Sequence, residues 1–211
     1  LKNNETASYI SVNEIAKWQY TLIKQDPYGN PLSVTFATYN EQGVYLGDVT
    51  TGSDGIYTSP KLDFSSIKFV EKSVPTGVVL DKTEFTLTGS YKDQHTSVVL
   101  VSKKVLNTYQ RGNQKLIKVE DNWDTLFPEY NGQVIANVEI GAYAVNDIYE
   151  GSKLIAKKDS LIQKGFTNAK GEIVFNNLSI GSYYAKELSG PNNYQPYDGK
   201  WFFDITYDAQ N

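Results

Sequence analysis

Five residues recur along this chain at one fixed distance. Thr51, Gly55, Leu62, Glu71 and Pro75 are matched by Thr167, Gly171, Leu178, Glu187 and Pro191, each 116 positions later. A gap-free register of this kind means that one structural plan is used twice. A second anchor, "LIKQD" at Leu22–Asp26, returns as "LIKVED" at Leu116–Asp121 with an offset of 94, so the second copy holds 22 extra residues between the anchors. Part of that excess is expected in "NWDTLFPEYNGQ" and part in "VNDIYEGSKL".

Each copy reads as strands. Short runs rich in Val, Thr and Tyr are broken by "DPYGNP", "NEQG", "GSDG", "NAKGE" and "GPNNY", and no long helical periodicity competes with them. Strands are predicted at 16–25, 33–40, 43–48, 55–58, 67–72, 83–88 and 96–105 in the first copy. In the second they are predicted at 114–120, 133–145, 153–157, 171–175, 181–188 and 200–207, one fewer. The fold class is therefore all-β, two tandem Ig-like β-sandwiches, with the second lacking its own last strand in this chain. The first domain is placed at 15–107 and the second at 108–211, with "NTYQRGNQ" as a polar linker. "ETASYISVNEIAKW" precedes the first domain as "HTSVVLVSKKVLN" precedes the second, so residues 1–14 read as the last strand of a preceding repeat, or as an exchanged strand. The open edge left in the second domain is suited to accept such a strand.

Composition excludes several classes of function. A net charge of −4 argues against a general nucleic-acid partner, and no apolar run is long enough to insert in a membrane. Cysteine and methionine are absent, which removes disulfides and thiolate chemistry and suggests an excised or processed piece of a longer protein. The single His95 has no catalytic partner in sight, and no phosphate-binding, dinucleotide-binding or zinc-protease motif is present. The acidic groups "EDNWD" and "NDIYE" lack the spacing of a calcium loop and read as solvated loops, so no metal and no cofactor is expected.

One strand raises a problem. In "IKFVEKSVPTG", alternation puts Glu71 on the face of Ile67 and Phe69, aiming a carboxylate at the core, where an unpaired charge is costly. The repeat "YYAKELSGPNN" does the same with Glu187, on the face of Tyr183 and Ala185.

Together with "LIK-x-D" and the turn "T-x-x-x-G", the segment "F-V-E-K-x-x-P-x-G" resembles the Cna protein B-type (prealbumin-like, SpaA-type) domains of Gram-positive surface adhesins and pilins. The resemblance covers nearly the whole chain. It implies stalk-forming sandwiches in which a Lys of the first strand joins an Asn or Asp of the last in an isopeptide bond, with a middle-strand Glu as catalyst. The chemistry needs a Lys deprotonated by burial and a Glu able to donate a proton in the same apolar pocket. On this basis Glu187 is assigned as catalytic, Lys115 and Asn13 as the cross-linking pair (between repeats or between molecules), and Asp208 and Asn211 as fallback partners. In the first domain the matching positions are Thr21 and Ser102, so Glu71 is expected to be vestigial unless Lys17 or Lys24 reaches in.

The expected role is mechanical: a stalk or repeat region of an extracellular, cell-wall-anchored protein, its anchor outside this segment, whose partners are neighbouring repeats. Self-directed bond formation is the only reaction expected, so the chain is not an enzyme acting on an external substrate. The alternative is an adhesin module that binds a host matrix protein or glycan through its loops or its aromatic surface.

Overall fold

The computed structural model describes residues 10, 12–120, 132–192 and 194–209. The chain divides into two compact units. The first comprises the chain up to Gln25 with Pro31–Ser73 and Asp81–Leu106, and the second comprises Asp26–Asn30, Val74–Leu80 and the chain from Asn107.

The first unit has seven strands among its described residues: β1 (Lys17–Gln25), β2 (Thr35–Tyr39), β3 (Tyr45–Thr50), β4 (Ile56–Thr58), β5 (Ser66–Ser73), β6 (Phe85–Thr88) and β7 (Val98–Leu106). They form a four-stranded sheet in the order β3-β2-β5-β6 and a three-stranded sheet in the order β4-β1-β7. All pairs are antiparallel except β1 with β7, which run parallel over their whole length. The alternation in "KWQYTLIKQ" builds β1: Trp18, Tyr20, Leu22 and Lys24 are buried, and the residues between them are half-exposed. Tyr20 reaches across to Phe69 of β5 with ring centroids 5.2 Å apart, and Phe69 stacks on Phe85 of β6 at 5.0 Å. This aromatic layer joins the two sheets into a sandwich.

The second unit repeats the plan with β8 (Arg111–Ile117), β9 (Glu139–Ala144), β10 (Ile148–Glu150), β11 (Lys153–Ala156), β12 (Leu161–Phe166), β13 (Glu172–Ser179), β14 (Gly181–Ser189) and β15 (Trp201–Ile205). Its sheets are β12-β9-β14-β15 and β13-β8, around a core that includes Ile140, Phe175, Leu178 and Tyr183. By order and pairing, β8 stands for β1, β13 for β4 and β14 for β5. Among the described residues, nothing stands where β7 would lie beside β8. The expectation of an all-β chain with two tandem sandwiches holds.

Two strands escaped the sequence reading. β10 is only three residues long, and β12, "LIQKGF", reads ambiguously because Gln, Lys and Gly interrupt its apolar pattern. The supposed linker is also bound rather than free. Val79 donates its N–H to the Thr108 carbonyl at 2.8 Å, Gln110 donates to Gly77 at 2.8 Å, and β8 begins at Arg111.

The β10–β11 hairpin, part of the second copy's extra length, has a structural role within the second unit. Glu150 is buried and accepts two bonds from Arg111, from Nε at 2.8 Å and from the guanidinium terminus at 2.9 Å. It also accepts the hydroxyls of Ser179 at 2.7 Å and Tyr28 at 2.6 Å. Beside it, buried Asp26 accepts from Tyr109 at 2.8 Å and from the backbone of Tyr28 and Asn30, so the turn Asp26–Asn30 is gripped at both ends. Burial works to raise the Glu150 carboxyl, but the bonds from Arg111, Tyr28 and Ser179 outweigh it and hold the group below its ordinary range. A depressed folded-state value means stability that is complete above the ordinary carboxylate range and is lost as pH falls through the folded value. Glu150→Gln keeps the shape and removes the charge. It should lower stability at neutral pH by about 1–3 kcal/mol and flatten the loss of stability on acidification, both read from urea midpoints across pH.

Candidate functional site

Each unit places one lysine against one buried glutamate by the same local devices. Lys24 lies on the inward face that Trp18, Tyr20 and Leu22 establish, and Glu71 lies on the inward face of Ile67 and Phe69. The Lys24 ammonium bonds Glu71 Oε1, and the two side chains are only 1% and 2% exposed. The other oxygen of Glu71 accepts the backbone N–H of Asp81 at 2.9 Å. The Lys24 ammonium also lies 5.7 Å from the centre of the Phe36 ring. Burial strips water from the ammonium and lowers the Lys24 pKa, against the opposing pull of Glu71 and Asp81.

In the second unit Lys118 lies 3.2 Å from Glu187, with side-chain exposures of 17% and 2%. Glu187 accepts the backbone N–H of Tyr197 at 3.3 Å, and Tyr197 is 116 positions after Asp81, the donor to Glu71. The rings of Tyr197 and Trp201 lie 5.7 and 5.5 Å from the Lys118 ammonium.

The repeated turn explains how both lysines are held. Gly55 has φ of 74°, and its carbonyl accepts the Lys24 N–H at 2.7 Å. Gly171 has φ of 69°, and its carbonyl accepts the Lys118 N–H at 2.8 Å. A Cβ at either glycine would lie 2.4 or 2.6 Å from that lysine's own carbonyl oxygen, so only glycine permits the approach. The threonine that opens each motif is buried. Thr51 donates to Leu32 at 2.7 Å and accepts from Val34 at 2.9 Å, and Thr167 does the same with Ile135 at 2.8 Å and Val138 at 3.0 Å.

Asn107 follows β7 directly, is buried, and donates its side-chain N–H to the Val79 carbonyl at 2.7 Å. In the parallel register of β1 and β7, Lys24 faces Val105, and Asn107 is the next residue of the Val105 face.

The sequence-predicted residues fall as follows. Glu71 and Glu187 are both buried and both face a lysine. Lys115 is corrected: it is 54% exposed and bonds Glu172 at 3.2 Å, because β8 turns Leu116 and Lys118 inward instead. Thr21 and Ser102 are Cα partners in the β1–β7 register but lie off the buried face, away from the row that carries Lys24. The expectation of a first domain without a lysine partner is corrected accordingly, since Lys24 reaches in. Lys17 instead pairs with Asp63 at 2.5 Å near the surface. Asn13 is exposed and outside any strand, and Asp208 is exposed with its backbone bonded to Gln110. Asn211 lies outside the described residues. Sequence reasoning missed Lys118 as the partner of Glu187, gave Lys24 only as an exception, and gave the buried Asn107 no role. The signal for Lys24 was the parity of "W-x-Y-x-L-x-K".

Tandem sandwiches with this strand order and this paired Lys–Glu interior define a class of prealbumin-like domains. The chain belongs to the SpaA prealbumin-like fold domain family, whose profile matches residues 19–105 and again 127–211. No curated protein matches. Among solved structures, the TIE protein of Bacillus anthracis is similar with a TM-score of 0.67 at 21% identity, over 92% of this chain and 32% of that one. This chain thus spans about a third of that protein's length. BcpA, the major pilin subunit of Bacillus cereus, matches with a TM-score of 0.41 at 10% identity, over 90% of this chain and 95% of that one. A Streptococcal ancillary pilin matches with a TM-score of 0.40 at 17% identity, over 93% of this chain and 60% of that one.

Removing one member of a fully buried ion pair strands the other. In an Asn107→Ala background, Glu71→Ala should cost about 3–5 kcal/mol, whereas Lys24→Met with Glu71→Leu should restore or exceed the starting stability. Urea unfolding of the three chains checks this.

Proposed function

We propose that this chain is a force-carrying stalk segment of a Gram-positive surface protein or pilus, and that its first repeat is closed by a self-made isopeptide bond between Lys24 and Asn107. The observation that carries the reading is the Lys24–Glu71 pair, fully buried in the sandwich, with a buried Asn directly after β7, two residues past Val105, the Cα partner of Lys24. A buried ion pair adds little net stability and is often bettered by apolar residues. Its retention points to chemistry.

The reaction balances without a co-reactant. Lys24 passes a proton to Glu71 and becomes a neutral amine, a transfer favoured by the burial that already lowers the lysine's pKa. Glu71 then donates a hydrogen bond to the side-chain carbonyl of Asn107 as Lys24 Nζ attacks Cγ. The new N–C bond forms as Nζ sheds its second proton, the Cγ–Nδ2 bond breaks, and Nδ2 takes up both protons by way of Glu71 and leaves as ammonium, with Glu71 a carboxylate again. An unactivated amide reacts with an amine only when the two are held together, and the reading requires the strand pairing of β1 with β7 to supply that proximity.

The mechanical consequence follows from topology. β1 opens the first repeat and β7 closes it, side by side and parallel. A bond from Lys24 to Asn107 carries tension straight from one strand to the other, so every residue between them leaves the path of the force. Such a tie supplies, without cysteine, what a disulfide supplies elsewhere. Display outside the cell, attachment to the wall and neighbouring repeats as partners belong to the same proposal and rest on family membership.

The folded chain should weigh less than its sequence mass by one ammonia, and a tryptic digest should contain a branched peptide joining Lys24 to Asn107. Lys24→Ala, Asn107→Ala and Glu71→Ala should each restore the full mass. A well-folded parent chain of unreduced mass would defeat the reading.

A further inference from the structure

The two repeats share one framework, so a surface that differs between them carries something the framework does not require. The outer face of the sheet β12-β9-β14-β15 is such a surface. One cross-strand row runs over all four strands: Leu161 pairs with Tyr143, Tyr143 with Tyr184, and Tyr184 with Phe202. Gly141 lets this row spread sideways, since a Cβ there would lie 2.9 Å from both Leu161 and Tyr143. Tyr143 and Tyr184 stack with ring centroids 5.1 Å apart, while Phe202 is 69% and Leu161 46% exposed.

Charge is sorted on either side of the row. On one side, Lys186 lies two residues along β14 from Tyr184, and Lys200 lies two residues before Phe202. The Lys186 ammonium is 4.9 Å from the centre of the Tyr143 ring, and the Lys200 ammonium is 3.9 Å from that of Tyr184. Among the described residues neither lysine forms an ion pair, so the rings position both charges without neutralising them. On the other side stand Asp204, two residues beyond Phe202, and Asp159, which accepts the Tyr184 hydroxyl at 3.1 Å.

The first repeat shows that the fold has no need of this arrangement. At the offset of 116, Tyr184, Lys186, Lys200 and Phe202 correspond to Lys68, Val70, Glu84 and Thr86. There Lys68 pairs with Glu84 at 3.1 Å, so the charges at these positions cancel. In the second repeat they do not, and an aromatic ring stands exposed beside them.

We propose that this face binds an acidic polysaccharide, a glycan chain bearing uronic-acid carboxylates, with Phe202 against a sugar ring and Lys186 and Lys200 on the carboxylates. A pyranose carries C–H groups on its faces and hydroxyls around its rim, which suits an exposed ring on a flat sheet. Its carboxylates form charge-assisted hydrogen bonds with the two ammoniums, and its hydroxyls donate to Asp204 and Asp159. A peptide strand would take an unpaired sheet edge, whereas this row crosses β9 and β14, which are paired on both sides. An anionic bilayer would be repelled by the same two aspartates. The proposal is independent of a bond between Lys24 and Asn107.

The test is titration calorimetry of the whole chain with hexamers of galacturonate, of mannuronate, and of glucuronate alternating with N-acetylglucosamine. At least one should bind, more weakly as salt rises, and its methyl ester should bind about tenfold more weakly. Lys186→Ala, Lys200→Ala and Phe202→Ala should each cost about tenfold in affinity, whereas Lys68→Ala in the first repeat should change nothing. A chain given the first repeat's residues through Tyr184→Lys, Lys186→Val, Lys200→Glu and Phe202→Thr should fold and lose binding altogether. Circular dichroism checks folding, and the exposed Lys200 and Phe202 variants carry the test if the fourfold variant does not fold. The proposal is overturned by no binding to any of the hexamers, by equal binding of the ester, or by binding that Lys200→Ala and Phe202→Ala leave unchanged. Tighter binding of hexaglutamate or of phosphatidylserine vesicles overturns it as well.

Discussion

An ammonium and a carboxylate taken out of water together are the constraint on which the first repeat is built. Lys24 and Glu71 meet only because β1 and β5, from opposite sheets, both keep strict alternation up to the charged residue. The turn that follows β3 then brings the Gly55 carbonyl onto the Lys24 N–H, which fixes the strand's position along its axis. The N–H of Asp81 satisfies the second oxygen of Glu71. Each of these groups would be an ordinary surface or loop feature if the pair were absent. Their recurrence around Lys118 and Glu187 indicates that the spacing preserved between the repeats belongs to this pair rather than to general packing.

The sheet framework was legible because period-two runs and turn residues punctuate the chain clearly, and all seven strands of the first unit fall within or close to the predicted spans. The site was half legible. Both glutamates stand on faces whose other members are aromatic or apolar, so their direction could be read. The lysine of the second repeat could not be read locally. In "KLIKVE" both parities carry apolar residues, Ile117 and Val119 on one side and Leu116 on the other, so alternation gives no preference. The answer lay in the first copy, where Trp18, Tyr20 and Leu22 fix the parity, and the 94-residue offset transfers it to Leu116 and Lys118. Asn107 was hidden for a different reason. It sits just past a strand whose inward row includes a lysine, so its burial depends on neighbours that no local pattern reveals.

The extra residues of the second copy show how a repeat acquires a new element without disturbing the strands that hold its lysine and glutamate. The β10–β11 hairpin leaves β9 and β14 paired as their counterparts β2 and β5 are, with β8 on β13 as β1 is on β4, and it contributes Glu150 to a polar cluster within the second unit. That carboxylate has four donors on two oxygens, and the bidentate Arg111 is the strongest of them. A buried charge so fully bonded sets geometry more than it adds stability. The turn Asp26–Asn30 is thereby held by side chains from well beyond its own sequence neighbourhood.

The two lysines stand in the same geometry but in different surroundings. Lys24 has strands on both sides of β1, and burial disfavours its charged form. The Lys118 side chain keeps part of its contact with water, 17% exposed against 1% for Lys24. A carboxylate of nearly equal burial faces each of them, so the difference between the two sites lies on the lysine side and not in the glutamate.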